Sequence, residues 1–169
     1  ANTTFDSEGK GGDITFKVNN LSLAERAQIS ALSEGIGNAG NITIESDQLI
    51  DAVNSDIATT ARQSFGGAIN ITAEDIRLFG NSNIRTNVFS GAGGGGNINL
   101  TANTIVALDD SDIFSFARDG KGGDITFNTK GFFISPLFLS SPQITDAETI
   151  DSLNRNNQVD VNASGTMNG

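Results

Sequence analysis

Apolar and polar residues alternate in short runs along this chain, and the runs recur at a nearly fixed interval. Five segments open with small, mostly glycine residues and continue as Ile, any residue, then a large apolar residue. Their isoleucines, 28, 27, 29 and 27 residues apart, are Ile14, Ile42, Ile69, Ile98 and Ile125. Two-residue alternation is typical of β-strands, whereas a helical repeat would place apolar residues at i, i+3, i+4 and i+7. The pattern therefore predicts an all-β repeat protein.

Two further apolar positions follow each of these isoleucines. Seven residues later stand Leu21, Leu49, Ile76, Ile105 and Phe132, and fifteen residues later stand Ile29, Ile57, Ile84 and Ile113. All variation in repeat length then falls after the third position, in glycine- and serine-rich stretches where a surface loop tolerates it. We predict a single-stranded parallel β-helix with about 28 residues and three short strands per coil, and with five full coils and partial ends. Its coils would hydrogen-bond to one another about 4.8 Å apart.

Residues suited to tight turns stand at the predicted corners. Arg26, Asn54, Asn81 and Asp110 each lie three residues before the third apolar position. Asn and Asp tolerate left-handed backbone angles, so such corners can stack from coil to coil. The glycines before the first strand are expected to have positive φ angles and to stand where a Cβ would clash with the next coil.

The chain divides into three parts. Residues 1–135 hold the predicted coils, and residues 136–157 form an irregular excursion with two prolines. Residues 158–169 are predicted to start a partial sixth coil, because 158–166 parallels 124–132 position by position. Neither end resembles the polar cap that a solenoid needs over its open strand edges, so we expect a piece of a longer rod.

Charge and composition exclude several classes of function. Twenty acidic against ten basic residues give a net charge of −10, which argues against nucleic acid and anionic lipid as partners. The chain has neither Cys nor His, so it has no disulfides, no thiolate or imidazole metal site and no Ser–His hydrolase triad. No apolar run approaches the roughly 20 residues of a membrane span. We therefore expect a non-catalytic, extracellular chain without a cofactor.

The repeat resembles that of filamentous-haemagglutinin-like exoproteins of the cyanobacterial type. The resemblance is carried by Gly-Lys-Gly-Gly-Asp-Ile-Thr-Phe at 9–16, by Leu-Ser-Leu at 21–23 and by Ala-Gln-Ile-Ser-Ala at 27–31, with five copies across 9–135. Residues 159–165 resemble the closing region of such chains, which places this sequence in their carboxy-terminal β-helix portion.

That resemblance carries expectations about fold, export and partners. It implies a right-handed β-helix and two-partner secretion, in which an outer-membrane transporter exports the parent protein. It further implies a secreted or cell-surface adhesive filament, which self-associates or binds a carbohydrate or another cell-surface ligand. The pattern of residues alone does not give the handedness or the ligand.

Three acidic residues at one corner, Asp109, Asp110 and Asp112, are a weak calcium candidate, since Ca²⁺ prefers several oxygen ligands. The glycine and distal glutamate of an EF-hand are absent, so a solvated corner is the preferred interpretation. The Gly-x-Gly-Gly-Asp segments at 9–13 and 120–124 are similar to a calcium-binding nonapeptide. Their period is about 28 residues instead of nine, so we interpret them as turns that precede strands.

The alternative to an adhesive rod is a β-helix that binds or cleaves polysaccharide. Glycoside hydrolysis needs two carboxylates about 5–10 Å apart. The outward positions of the first strands offer one acid and one base, Glu45 and Lys17, which we expect to form an ion pair between coils. The Thr and Asn residues of the same face also suggest ice binding, which these two charges disfavour.

An apolar run begins the excursion and suggests a contact surface. The preferred interpretation is that residues 136–157 cover the side or end of the core. The alternative is a docking patch for a neighbouring rod, formed by Leu137, Phe138 and Leu139.

Overall fold

A computed structural model describes residues 1–90, 93–134, 153 and 156–165. The described residues form these strands: β1 Ile14–Leu23, β2 Gln28–Ser33, β3 Ile42–Val53, β4 Asp56–Ala61, β5 Ile69–Thr72, β6 Asp75–Phe79, β7 Asn83–Val88, β8 Ile98–Ala107, β9 Ile113–Ala117, β10 Ile125–Ile134 and β11 Val161–Gly165.

Parallel pairing stacks the strands into two sheets. The first sheet runs β1–β3–β5–β8–β10, and β6 pairs with β3 and β8 beside β5. The second sheet runs β2–β4–β7–β9–β11. This arrangement confirms the predicted parallel β-helix. The first two predicted strands of a coil are one continuous strand in β1, β3, β8 and β10, and they separate into β5 and β6 in the third coil.

Strand register confirms two of the predicted apolar columns. The first column runs through Ile14, Ile42, Ile69, Ile98 and Ile125, and the third runs through Ile29, Ile57, Ile84 and Ile113 and continues to Val161. The members in the second, third and fourth coils are fully buried. Each such side chain contributes about 1.5–3 kcal/mol of hydrophobic stabilisation, which the ordering of the chain opposes.

The prediction that Leu49 belongs to the second column is wrong. The column passes through Leu21, Ile50, Ile76, Ile105 and Phe132. Strand β3 has one more residue than β1 at a register shift after Val18. Because side chains alternate between the two faces of a strand, the extra residue turns Leu49 outward and Ile50 inward. The buried Ser46 hydroxyl stabilises this register shift by donating to two backbone carbonyls, at 2.9 and 3.2 Å.

The segment predicted to start a sixth coil instead completes the fifth coil. Strand β11 pairs with β9 in the second sheet, with Val161 beside Ile113. Residues 135–160 therefore connect β10 to the third strand of the same coil, a step that a short corner makes in the other coils. The prediction failed because two-residue alternation fixes which face is buried and does not fix which column a strand joins.

One glycine in each turn before a first strand stands where two coils come closest. A Cβ at these positions would overlap the carbonyl oxygen of the matching glycine in the preceding coil, which applies to Gly40, Gly67, Gly96 and Gly123. The predicted close approach is confirmed. The predicted positive φ angles are not found there, since among the described glycines only Gly80 has one, at 62°. Lack of space, and not backbone angle, requires glycine at these positions.

Buried hydroxyl groups on the third strands pair with carbonyls of this glycine column. Thr59 Oγ1 donates to Gly67 O at 2.7 Å, and Thr86 Oγ1 and Ser115 Oγ each donate to Gly96 O at 2.8 Å. The hydroxyls satisfy carbonyl groups inside the solenoid, where an unpaired acceptor would be costly.

We expect Thr59→Val to lower the free energy of unfolding by about 1–3 kcal/mol, because it leaves the Gly67 carbonyl without its side-chain donor. Denaturant unfolding followed by circular dichroism measures the change. Thr60→Val, one residue away on the outward face, is the matched control and should change stability by less than about 0.5 kcal/mol. Equal effects of the two variants would contradict a role for the buried hydroxyl.

Candidate functional site

A polar groove of about 250 Å³ follows the corner between the two sheets in the first three coils. Its lining consists of Arg26, Ala27, Gln28, Asn54, Ser55, Asp56, Asn81 and Asn83. Equivalent positions of successive coils lie above one another, so the groove presents one set of polar groups from each coil.

Left-handed backbone angles build this corner, as the sequence predicts. The φ angles are 67° at Arg26, 52° at Asn54, 62° at Asn81 and 62° at Asp110. Serine hydroxyls below the surface also join the stacked corners. Ser82 Oγ accepts a hydrogen bond from the Ser55 amide at 3.1 Å, and Ser111 Oγ accepts one from the Ser82 amide at 3.0 Å. The groove is therefore part of the rigid stack.

Some groove side chains pair with each other, and others remain open to a ligand. Arg85 Nη2 donates to Asp56 Oδ2 at 3.2 Å, and Asn83 Nδ2 donates to Asn81 Oδ1 at 3.0 Å. Among the described residues, the exposed amides of Gln28 and Asn54 have no hydrogen-bond partner. Side-chain amides both donate and accept, so they match a ligand rich in hydroxyl groups. Asp56 is already engaged by Arg85.

The three calcium candidates differ in their exposure to solvent. Asp109 is exposed, whereas Asp110 and Asp112 are buried. Gln158 N donates to Asp110 Oδ1 at 3.1 Å, and Asp160 N donates to Asp112 Oδ1 at 2.9 Å. The interpretation as a solvated corner is therefore wrong for Asp110 and Asp112, which bind the chain as it returns from the excursion. Within the described ranges, no group of three or more acidic residues is arranged to hold a metal ion.

Burial changes the acidity of these groups. It raises the pKa of Asp112 to about 8, and the neighbouring charges of Asp110 and Asp160 act in the same direction. Burial also raises the pKa of Asp110 and of Asp160, although hydrogen bonds from the returning chain oppose it. Sequence reasoning missed the part of Asp160 in this cluster, because Asp160 lies 48 residues after Asp112.

Comparison with known proteins does not assign the chain to a family. No protein-family model, curated protein or solved structure matches it. In the part of the chain that the structure describes, no helix is long and apolar enough to cross a membrane. The arrangement of the side chains is therefore the basis for a functional proposal.

Two contacts between coils lie on the outward face of the first sheet. Lys17 Nζ lies 2.8 Å from Glu45 Oε2, which confirms the predicted ion pair, and the hydrogen bond to Glu45 raises the pKa of Lys17. Asn99 Nδ2 donates to Asn70 Oδ1 at 2.8 Å on the same face. These pairs join one coil to the next.

One residue of the excursion supports the interpretation that this segment covers the core. Leu153 is buried against Phe114 and Phe116, which lie on the outward face of β9 and are only 2% and 3% exposed. The alternative docking patch of Leu137, Phe138 and Leu139 lies outside the described residues.

Proposed function

We propose that this chain is a structural and adhesive segment of a secreted, surface-exposed β-helical filament, which binds a carbohydrate without cleaving it. The observation that supports the proposal is the polar groove on the stacked corner. Its two free amides, Gln28 and Asn54, belong to adjacent coils about 4.8 Å apart, and they suit the hydroxyl groups of a polysaccharide.

A non-catalytic role agrees with the state of three acidic groups. Asp56 is held by Arg85, Glu45 by Lys17, and Asp112 is fully buried. General acid–base catalysis needs a titratable group within hydrogen-bonding distance of the substrate. The polysaccharide-cleaving alternative would require carboxylates that a bound sugar can reach on both sides of the scissile bond.

A glycan array, read for binding and followed by a product assay on each bound glycan, tests the proposal. We expect binding to at least one polysaccharide and no release of shorter products. Released products would support the enzyme instead, and the absence of binding to any glycan would contradict the carbohydrate ligand.

A groove variant tests the position of the site. Gln28→Ala combined with Asn54→Gly removes both free amides, and glycine accepts the φ of 52° at position 54. Two lost hydrogen bonds of about 0.5–1.5 kcal/mol each should weaken binding by roughly 5- to 150-fold. Asn128→Ala, an exposed amide on the first sheet, is the control and should leave affinity unchanged. Equal affinity of the groove variant and the unmodified chain would place the site elsewhere.

A further inference from the structure

The chain returns to the solenoid over a group of buried carboxyl groups. Asp110 and Asp112 lie at the corner of the fourth coil, and Asp160 comes directly before β11. Gln158 and Asp160 donate their amides to the first two carboxyl groups at 3.1 and 2.9 Å. Asn156 Nδ2 donates to Asp160 Oδ2 at 2.8 Å. Hydrogen bonds to carboxyl oxygens therefore hold the residues just before β11 against the fourth coil.

The surroundings of this cluster disfavour full ionisation. The Oδ2 atom of Asp112 is buried and has no hydrogen-bond partner. The charged groups that act on Asp112 are Asp110 and Asp160, both acidic, and Asn83 of the adjacent β7 is neutral. Among the described residues, no basic side chain lowers the pKa of any of the three carboxyl groups. Burial and repulsion between like charges both favour a retained proton.

We propose that Asp110, Asp112 and Asp160 form a proton-dependent latch, which holds β11 against β9 while the cluster keeps a proton and releases it when all three carboxyl groups ionise. The latch goes beyond the adhesive role and does not depend on it. The latch also determines whether an apolar surface on β9 is covered. Asn156 N donates to Leu153 O at 3.3 Å, so the latched segment holds Leu153 over the phenyl rings on β9.

The direction of the pH dependence follows from the shifted acidity. Release of β11 and the residues before it opens the Asp112 carboxyl to water, where its pKa is near 3.8, whereas burial in the latched state raises the pKa of Asp112 to about 8. Between these values the latched state holds a proton that the released state lacks. Its stabilisation is therefore complete below pH 3.8 and is lost as pH rises through about 8. Each pH unit in this window should raise the equilibrium constant for release by up to about tenfold.

Amide hydrogen exchange of the whole chain, measured from pH 5 to 9 and expressed as protection factors, tests the latch. Protection of β11 should fall with pH up to about 8, while protection of β4 in the second coil should stay constant. Binding of a hydrophobic dye should rise over the same range, as Phe114 and Phe116 become exposed. Protection of β11 that does not vary with pH would overturn the proposal.

Asp112→Asn keeps the shape and the acceptor oxygen and removes the ionisation. This variant should lose most of the pH dependence of β11, whereas Asp47→Asn, an exposed acid on β3, should retain all of it. If Asp112→Asn does not fold, Asp160→Asn is the second variant. It removes one titrating group and one charge that repels Asp112, so the fall in protection of β11 should be smaller and should end at a lower pH. An unchanged pH slope in the folded variant would assign the effect to other groups and overturn the latch.

Discussion

We expect Ile69→Asp to abolish cooperative folding of the chain. Ile69 is fully buried in the central coil, where its strand pairs with β3 on one side and β8 on the other. The substitution removes about 1.5–3 kcal/mol of hydrophobic stabilisation and buries a carboxylate that has no partner. Together these costs are comparable to the total stability of a typical domain, about 5–15 kcal/mol. Circular dichroism and denaturant unfolding of the purified variant measure the outcome.

Asn70→Asp is the matched control, because it adds the same charge one residue along the strand on the outward face. Residue 70 is half-exposed, and an aspartate there still accepts the hydrogen bond from Asn99. Its stability should change by no more than about 0.5 kcal/mol. A folded Ile69→Asp variant with an unchanged melting temperature would mean that the first column is not inside the solenoid.

We expect Gly96→Ala to lower the free energy of unfolding by about 3 kcal/mol or more. A methyl group at this position would overlap the carbonyl of Gly67 in the preceding coil. The backbone can make room only if two coils separate, which weakens the pairing of β5 with β8. Because each coil depends on its neighbours, the loss should extend beyond one coil. Denaturant midpoints of the variant and the unmodified chain measure the effect.

Gly9→Ala is the control for this substitution, since a Cβ there meets no atom within 4 Å. Replacing an unstrained glycine in this way typically stabilises a protein by about 0.4–1 kcal/mol, through the unfolded state. The two glycine substitutions should therefore differ in sign. Similar small effects of both would contradict the close approach of the coils.

The sequence was sufficient to predict the fold, because the first and third columns have constant spacing and distinctive residues. Leu49 was misplaced because it stands next to Ile50, and either residue can fill the column. Only the extra residue in β3, which Ser46 stabilises, decides between them. A single sequence does not reveal such a bulge, since it depends on contacts with the neighbouring coil.

The candidate site was less predictable. The left-handed corners at Asn54 and Asn81 follow from residue type. Whether these corners can bind a ligand depends on which side-chain amides remain unpaired once the coils are stacked. The acidic cluster depends on where the chain returns after residues 135–160. Alternation in Val161–Gly165 fits a first strand and a third strand equally well, so pairing with β9 could not be predicted from the pattern.

Distances between spin labels along the first sheet test the stacked coils most directly. The chain has no cysteine, so labelled cysteines can replace Thr15 together with Asn70, Asn99 or Thr126 without any background. Strand register predicts separations of two, three and four coils, or about 10, 14 and 19 Å between backbones. A linear increase by about 4.8 Å per coil would confirm the stack. Distances that do not increase in this order would contradict it.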